Sequence, residues 1–305
     1  MGKIIVSMNG GLGNQMYEYA CYLNLKEKFG EENVGISTSW FIANHAHYGY
    51  ELEKVFGIKL EELDIKNAVQ IPKGDAFYRG EYQNLPEDKD FLLTGSFCST
   101  QMLSNVEQKL REDFNFSKEL DDEFKETIEK ITRNNSVSVH LRCGDFRFCG
   151  FDNTPITFYE DAIAEIKNKV EDPYFFIFSD DIHFAKEKFA NLENKFFVES
   201  NRGENSYKDL FLMSKCKHFI TATNSTFSSW GAWLSTNKDK IVLTFSCYAG
   251  GKEWGEDFSR KVDLVDKHTG GGMSQSVMLF TKNSVMRRNM LRLQCAPLRT
   301  MRAGR

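Results

Sequence analysis

The sequence predicts an α/β protein built on parallel sheets and divided between two medium-sized domains. Three observations carry this. The chain has 305 residues, more than one typical hydrophobic core serves. Apolar runs that read as strands alternate with amphipathic helical stretches, the pattern of βαβ units. Glycine-rich or polar clusters recur where those strands would end, which is where open α/β sheets bind ligands.

The first unit reads strand, glycine turn, helix. Lys3 to Met8 is a buried strand, Gly10-Gly11-Leu12-Gly13 the turn, and Asn14 or Gln15 opens a helix that runs to about Phe29 and stops at Gly30. Phe91 to Thr94 reads as a strand. Leu120 to Ile131 reads as an amphipathic helix with a charged outer face. A second set of units starts near residue 135, where Val137, Val139 and Leu141 alternate with Ser138 and His140. A helix follows over Thr157 to Val170. Tyr174 to Phe178 is a continuous apolar strand, as in a parallel sheet covered on both faces. Further expected elements are helices at Ile182 to Phe189, Tyr207 to Ser214 and Thr226 to Ser235, and strands at His218 to Ala222 and Lys240 to Leu243.

Composition narrows the function classes. Hydrophobic residues at 41% and charged residues at 27% are an ordinary globular mix. No apolar run is long enough to span a bilayer, and the short apolar N-terminus lacks the core and cleavage site of a secretory signal. Seven scattered cysteines without a Cys-x-x-Cys fit reduced thiols in a cytosol rather than a disulfide frame or a zinc site. The sequons at Asn115, Asn134 and Asn224 carry little weight without export. Net charge is -4, yet residues 268–305 hold Lys282 and six arginines and no acid. The body is therefore acidic and a poor partner for nucleic acid. The basic tail is read as a foreign or poorly ordered extension, with peripheral contact at the anionic inner face of a membrane as its alternative. The expected location is cytoplasmic.

Four strand ends carry chemistry. Gly10 to Gln15 lets a backbone approach a ligand, or simply makes a tight turn. It departs from the Gly-x-Gly-x-x-Gly dinucleotide spacing, since Met16 stands where a glycine would be, and this disfavours a nicotinamide oxidoreductase. His140-Leu-Arg-Cys-Gly-Asp145 places a permanently charged guanidinium at a strand end, where it can grip a diphosphate. Asp145 can hold Arg142 or accept a proton, and His140 is either a ligand or a satisfied inward histidine. Ser179-Asp180-Asp181 can accept from ribose hydroxyls or guanine N–H groups, or cap the next helix. Thr223-Asn224-Ser225-Thr226 precedes a helix whose free N–H groups suit a phosphate, or serves as an ordinary cap. Trp230 and Trp233 read as core. Asp88-Lys89-Asp90 is the single Asp-x-Asp and a weak metal candidate.

Together these segments resemble the bacterial α-1,2-fucosyltransferases of glycosyltransferase family 11. Gly10-Gly-Leu-Gly-Asn-Gln-Met-Tyr-Glu-Tyr-Ala20 is similar to the family's N-terminal signature. His140-Leu-Arg-Cys-Gly-Asp-Phe146, Phe176-Ile-Phe-Ser-Asp-Asp181 and Asn224-Ser-Thr-Phe-Ser-Ser-Trp-Gly-Ala-Trp-Leu234 stand in the places of the next three, in the same order. Asp209 to Ser214 also resembles the family helix before the last of them. The resemblance runs from about residue 4 to 265. It implies a GT-B-like fold, two Rossmann-like domains facing across a cleft. Residues 1–133 would be the acceptor side, 134–267 the GDP-fucose side and 268–305 the tail. It implies an inverting transfer of fucose from GDP-fucose to the 2-hydroxyl of a terminal galactose, with no metal and no other cofactor.

Residue by residue, Arg142 would bind the diphosphate and act catalytically with Asp145 as base. His140 with Asp180 or Asp181 would face the guanosine. Asn224, Ser225, Thr226 and Phe227 would line phosphate and nucleotide. Gly11, Gly13, Asn14 and Gln15 would lie in the cleft near donor sugar and acceptor. The sequence departs from the family pattern at Cys143, which replaces a second arginine, and at Ser229, which replaces a tryptophan. A neutral thiol cannot steady a leaving diphosphate as a guanidinium does, so a weak or inactive GDP-sugar-binding relative is the alternative reading.

Overall fold

The computed structural model describes residues 2–44, 47–82, 86, 88–95, 97, 100–143, 154, 156–199, 201–222, 225–245 and 278–280. Two parallel sheets organise them. The first takes β1 (Ile4–Ser7), β2 (Val34–Ser37), β3 (Val69–Ile71) and β4 (Phe91–Leu93) in the order β2-β1-β4-β3. The second takes β5 (Asn135–Leu141), β6 (Pro173–Ser179), β7 (Lys195–Phe197), β8 (His218–Thr221), β9 (Val242–Phe245) and β10 (Met278–Phe280) in the order β10-β9-β8-β5-β6-β7. Every strand pair in both sheets is parallel.

Read from its far edge, the second sheet runs third, second, first, fourth, fifth, sixth in chain order. That is the doubly wound arrangement, and its switch point lies between β5 and β8. The winding leaves a crevice outside the carboxyl ends of those two strands, because connections depart in opposite directions on either side of it. The alternation of β6 explains why this sheet is buried on both faces. Phe175 and Ile177 join one core with Val137, Val139 and Ile220, while Phe176 and Phe178 join the other with Phe211 and Phe219. Each such fully buried side chain contributes about 1.5–3 kcal/mol.

The helix α1 (Leu12–Phe29) packs against the first sheet and ends on Gly30, whose φ of 93° only glycine adopts comfortably. Short helices α2 (Trp40–Ala43), α3 (Leu52–Phe56), α4 (Gly74–Tyr78), α5 (Thr100–Asn105) and α6 (Glu107–Asp113) complete the first half. The helix expected over Leu120 to Ile131 is two helices, α7 (Glu119–Glu123) and α8 (Lys125–Arg133). Phe124 stands at the joint with φ -108° and ψ 19°, its ring turned toward Phe211 at 6.4 Å. The remaining helices are α9 (Ile156–Lys169), α10 (Ile182–Lys188), α11 (Tyr207–Lys215) and α12 (Thr226–Leu234). Trp230 and Trp233 of α12 belong to the core of the first half, together with Met16, Tyr17 and Ala20 of α1. The two halves are therefore joined through buried apolar surface. Among the described residues no helix is long and apolar enough to cross a membrane. Apart from β10, the basic tail at 268–305 lies outside the described residues.

Candidate active site

The glycine turn after β1 and the start of α12 meet. A Cβ on Gly13 would sit 2.7 Å from the Phe227 nitrogen and 2.8 Å from the Thr226 carbonyl carbon, so only glycine fits between the two helices. Trp230 Nε1 donates to the Gly13 carbonyl at 2.9 Å, and the Thr226 hydroxyl lies 2.9 Å from Asn14 Oδ1. Gly13 is thus a packing residue beneath the cleft rather than part of its wall.

Gln15, expected in the same wall, is fully buried. Its Nε2 donates to the carbonyls of Gly10 at 3.1 Å and Gly49 at 2.9 Å, and its Oε1 accepts the Glu51 N–H at 2.8 Å. Its whole amide is spent on backbone, which pins the segment around Gly49 to the turn. Of the four residues expected there, Gly11 is half-exposed and Asn14 exposed. A neighbouring carboxyl was not anticipated. Glu18 is buried in α1 and accepts the Asn9 N–H at 2.9 Å, and burial pushes its pKa well above the usual carboxylate range. An acid amid Tyr17, Tyr19 and Ala20 was the available signal.

On the second half, Arg142 Nη1 pairs with Asp180 Oδ2 at 3.0 Å, with both side chains partly exposed at 30% and 24%. The other oxygen, Asp180 Oδ1, accepts the Cys143 N–H at 2.7 Å. One carboxylate therefore ties the end of β6 to the chain leaving β5. Of the two roles foreseen for the consecutive acids, Asp181 takes the cap of α10 by accepting the Phe184 N–H at 3.0 Å, while Asp180 takes one not foreseen, as partner of Arg142. The Cys143 side chain is buried among Leu141, Ile163 and Ile182. The thiol at this position is thus part of the core of the second half.

His140 is 5% exposed, and its Nδ1 has no hydrogen-bond partner among the described residues. Burial, with the Arg142 charge second, lowers its pKa to about 4, so it is neutral at physiological pH. Tyr159 of α9 steadies this strand end by donating to the His140 carbonyl at 2.9 Å, a role the sequence did not announce. The His140 ring lies 6.0 Å from that of Phe227. At α12, the Ser225 hydroxyl accepts the Ser228 N–H at 3.4 Å, and Thr226 and Phe227 remain half-buried. His140, Arg142 and Asp180 thus gather at the end of β5, and the His140 ring approaches Phe227 of α12, whose start packs on the turn at Gly11 to Asn14. Asp145 and Asn224 lie outside the described residues. As for metals, Asp90 Oδ1 is taken by the Lys3 N–H at 2.7 Å, and no three His, Cys, Asp or Glu side chains converge among the described residues.

A guanidinium, a neutral imidazole and a helix N-terminus around one crevice suit an anionic nucleotide. The sequence profile of Glycosyl transferase family 11 matches residues 1–261. The chain belongs to this family. Two curated relatives from Escherichia coli are an O-antigen biosynthesis glycosyltransferase, WbnK, and an alpha-1,2-colitosyltransferase. They are 29% and 31% identical, over 78% and 77% of this chain and 92% and 88% of theirs. A human galactoside alpha-(1,2)-fucosyltransferase is 25% identical over 80% of this chain and 69% of its own. The crystal structure of the fucosyltransferase NodZ from Bradyrhizobium has the same fold, with a TM-score of 0.53 at 13% identity, over 77% of this chain and 93% of NodZ. The family 11 chain is accordingly a glycosyltransferase with a GT-B-like fold, in keeping with its two parallel sheets.

Proposed function

We propose that the chain transfers L-fucose from GDP-fucose to the 2-hydroxyl of a terminal galactose, with inversion and without a metal. The observation that carries this is the placement of Arg142 and neutral His140 at the end of β5, beside β8, with the His140 ring 6.0 Å from Phe227 at the start of α12. The glycosyltransferase family is established by the profile match. The galactose acceptor and α-1,2 linkage are supported by the names of the relatives.

In this reading the acceptor hydroxyl attacks the anomeric carbon of fucose as the bond to the β-phosphate breaks. Negative charge grows on the departing GDP. Arg142 and the N–H groups at the start of α12 meet that charge, and because they are fixed before reaction they favour the transition state over the ground state. Asp180 aims Arg142 rather than binding the nucleotide itself. His140, kept neutral, offers Nδ1 to the nucleoside. Asp145, three residues beyond Arg142, is assigned the acceptor's proton.

One relative transfers colitose, so the sugar itself is a point of test. The chain is incubated with GDP-fucose or GDP-colitose and a panel of lactose, lacto-N-biose and N-acetyllactosamine. Products are read by mass and linkage, with and without chelator. Fucosyl-α-1,2-galactosides formed equally in both conditions are expected. Colitosides alone would reassign the donor, loss of activity in chelator would overturn the metal-free step, and GDP binding without any transfer would favour the inactive relative.

A further inference from the structure

From Asn33 to Tyr50 the chain carries no Lys, Arg, Asp or Glu, although 27% of the whole chain is charged. Yet this stretch holds the two most exposed large hydrophobic side chains among the described residues, Ile42 at 80% and Tyr48 at 54%. Its aromatic rings are ordered against one another. Trp40 and His47 stack with centroids 6.2 Å apart and planes inclined by 29°. The His47 ring lies against the glycine turn, its Nδ1 3.4 Å from where a Gly11 Cβ would stand. Gln15 pins the following residues through Gly49 and Glu51. The segment also faces the second half, with the Tyr48 hydroxyl 3.9 Å from where a Gly203 Cβ would stand and Lys54 paired with Glu204 at 3.2 Å.

We infer that Trp40, His47 and Tyr48 form the shelf on which the acceptor's galactose ring rests. This depends on the fucosyl-transfer reading for the identity of the sugar. The chemistry is that of a neutral amphiphile. A nucleotide would require free cations, whereas the stretch itself carries none and the nearby Lys54 is paired with Glu204. A β-galactoside presents a patch of C–H bonds on one face, because its 4-hydroxyl is axial, and hydroxyls around its rim. Aromatic faces take the patch, and adjacent exposed polar groups take the rim. Asn14 supplies such a group, exposed beside the shelf and joined to Thr226 at the donor side. The acceptor would thus approach over Gly11, between the shelf and the start of α12.

The test is direct binding, so that it does not depend on turnover. Saturation-transfer NMR follows methyl β-galactoside and its glucose epimer on the full chain with saturating GDP. Calorimetry follows GDP separately. Tyr48→Ala and Trp40→Ala should each weaken galactoside binding roughly three- to tenfold, the worth of one aromatic contact. Trp40→Phe should keep most of it, and the glucoside should bind more weakly than the galactoside in the parent chain. Since Tyr48 is largely exposed, its variant folds. Unchanged galactoside binding in Tyr48→Ala overturns the shelf, as does sedimentation showing that Tyr48 instead holds a second copy of the chain. If the parent chain binds no galactoside the shelf also falls, while the GDP titration decides independently whether the donor reading stands.

Discussion

His218 begins β8 and His140 stands one residue from the end of β5, so two buried imidazoles lie at opposite ends of neighbouring strands in one parallel sheet. Burial, as the largest cause, lowers both to a pKa of about 4. Their surroundings differ. His218 Nδ1 accepts the Ile241 N–H at 3.1 Å, and around it Lys217 N donates to the Ser136 carbonyl at 3.1 Å while Asn237 Nδ2 donates to the Lys217 carbonyl at 2.8 Å. The amino end of the sheet is closed by its own hydrogen bonds. At the carboxyl end His140 Nδ1 is unpartnered, and half-exposed Thr226 and Phe227 begin a helix beside it. A lowered pKa therefore marks burial at either end. The unused bonding capacity distinguishes the carboxyl end, where the proposed function puts the nucleotide.

The largest expected effect separates the two ends by rate. Arg142→Ala should lower turnover by about a hundredfold or more, the roughly 2.7–4 kcal/mol that one lost donor to a developing anion costs. Lys217→Ala, at the closed end, should stay within about twofold, as an ordinary peripheral change does. Steady-state rates with GDP-fucose decide it, and equal losses would erase the distinction.

Acidification should next reveal what the two ends share. Both imidazoles are neutral in the folded chain, whereas an unfolded histidine titrates near 6.5. The unfolded chain then binds more protons below that pH. Stability is complete above about 6.5 and is lost as pH falls toward 4, by at most about 3 kcal/mol for each histidine. Asp209 opposes this. Burial raises it to about 7, so its contribution is full below about 4 and fades as pH rises toward 7. Urea unfolding between pH 4 and 8 should show a slope that Asp209→Asn steepens and His218→Gln flattens. A slope insensitive to both substitutions would contradict the assignment.

Gly13→Ala tests whether the halves depend on one close approach. The added methyl meets backbone at 2.7 and 2.8 Å, which cannot swing aside. A loss of about 1–3 kcal/mol is expected, seen as a fall in Tm together with weaker GDP binding as α12 shifts. A full Tm with normal GDP affinity would show that the helix starts move independently.

Much of this was legible because strand ends announce themselves. The apolar run Tyr174 to Phe178 and the alternation at Val137 to Leu141 located β6 and β5, and the polar residues after them located the crevice. Short strands such as β2, β3 and β7 escaped notice, since three or four residues give little periodicity. Within the site, residue type suggested Arg142 and a helix cap at one of the two acids Asp180 and Asp181. It offered Asp145 and not Asp180 as a partner of Arg142, because the pairing with Asp180 depends on how β6 is placed beside β5. Gln15 was misplaced for a related reason. A polar side chain next to glycines reads as a ligand group, and only the fold shows that the backbone of Gly10, Gly49 and Glu51 consumes it.

The smallest expected effect is the most discriminating. His140→Phe keeps an aromatic ring beside Phe227 and removes only the ring nitrogens. If Nδ1 serves the nucleoside, GDP affinity should fall roughly three- to tenfold, the net worth of one hydrogen bond to a neutral group. His218→Phe abandons the Ile241 N–H, so it should cost about 1–3 kcal/mol of stability and leave GDP affinity untouched. Calorimetric titration of both variants sets binding against folding at the two ends of the same sheet. Matching GDP affinities would mean that the unpartnered nitrogen is a feature of packing alone, and that Arg142 with the start of α12 suffices to hold the nucleotide.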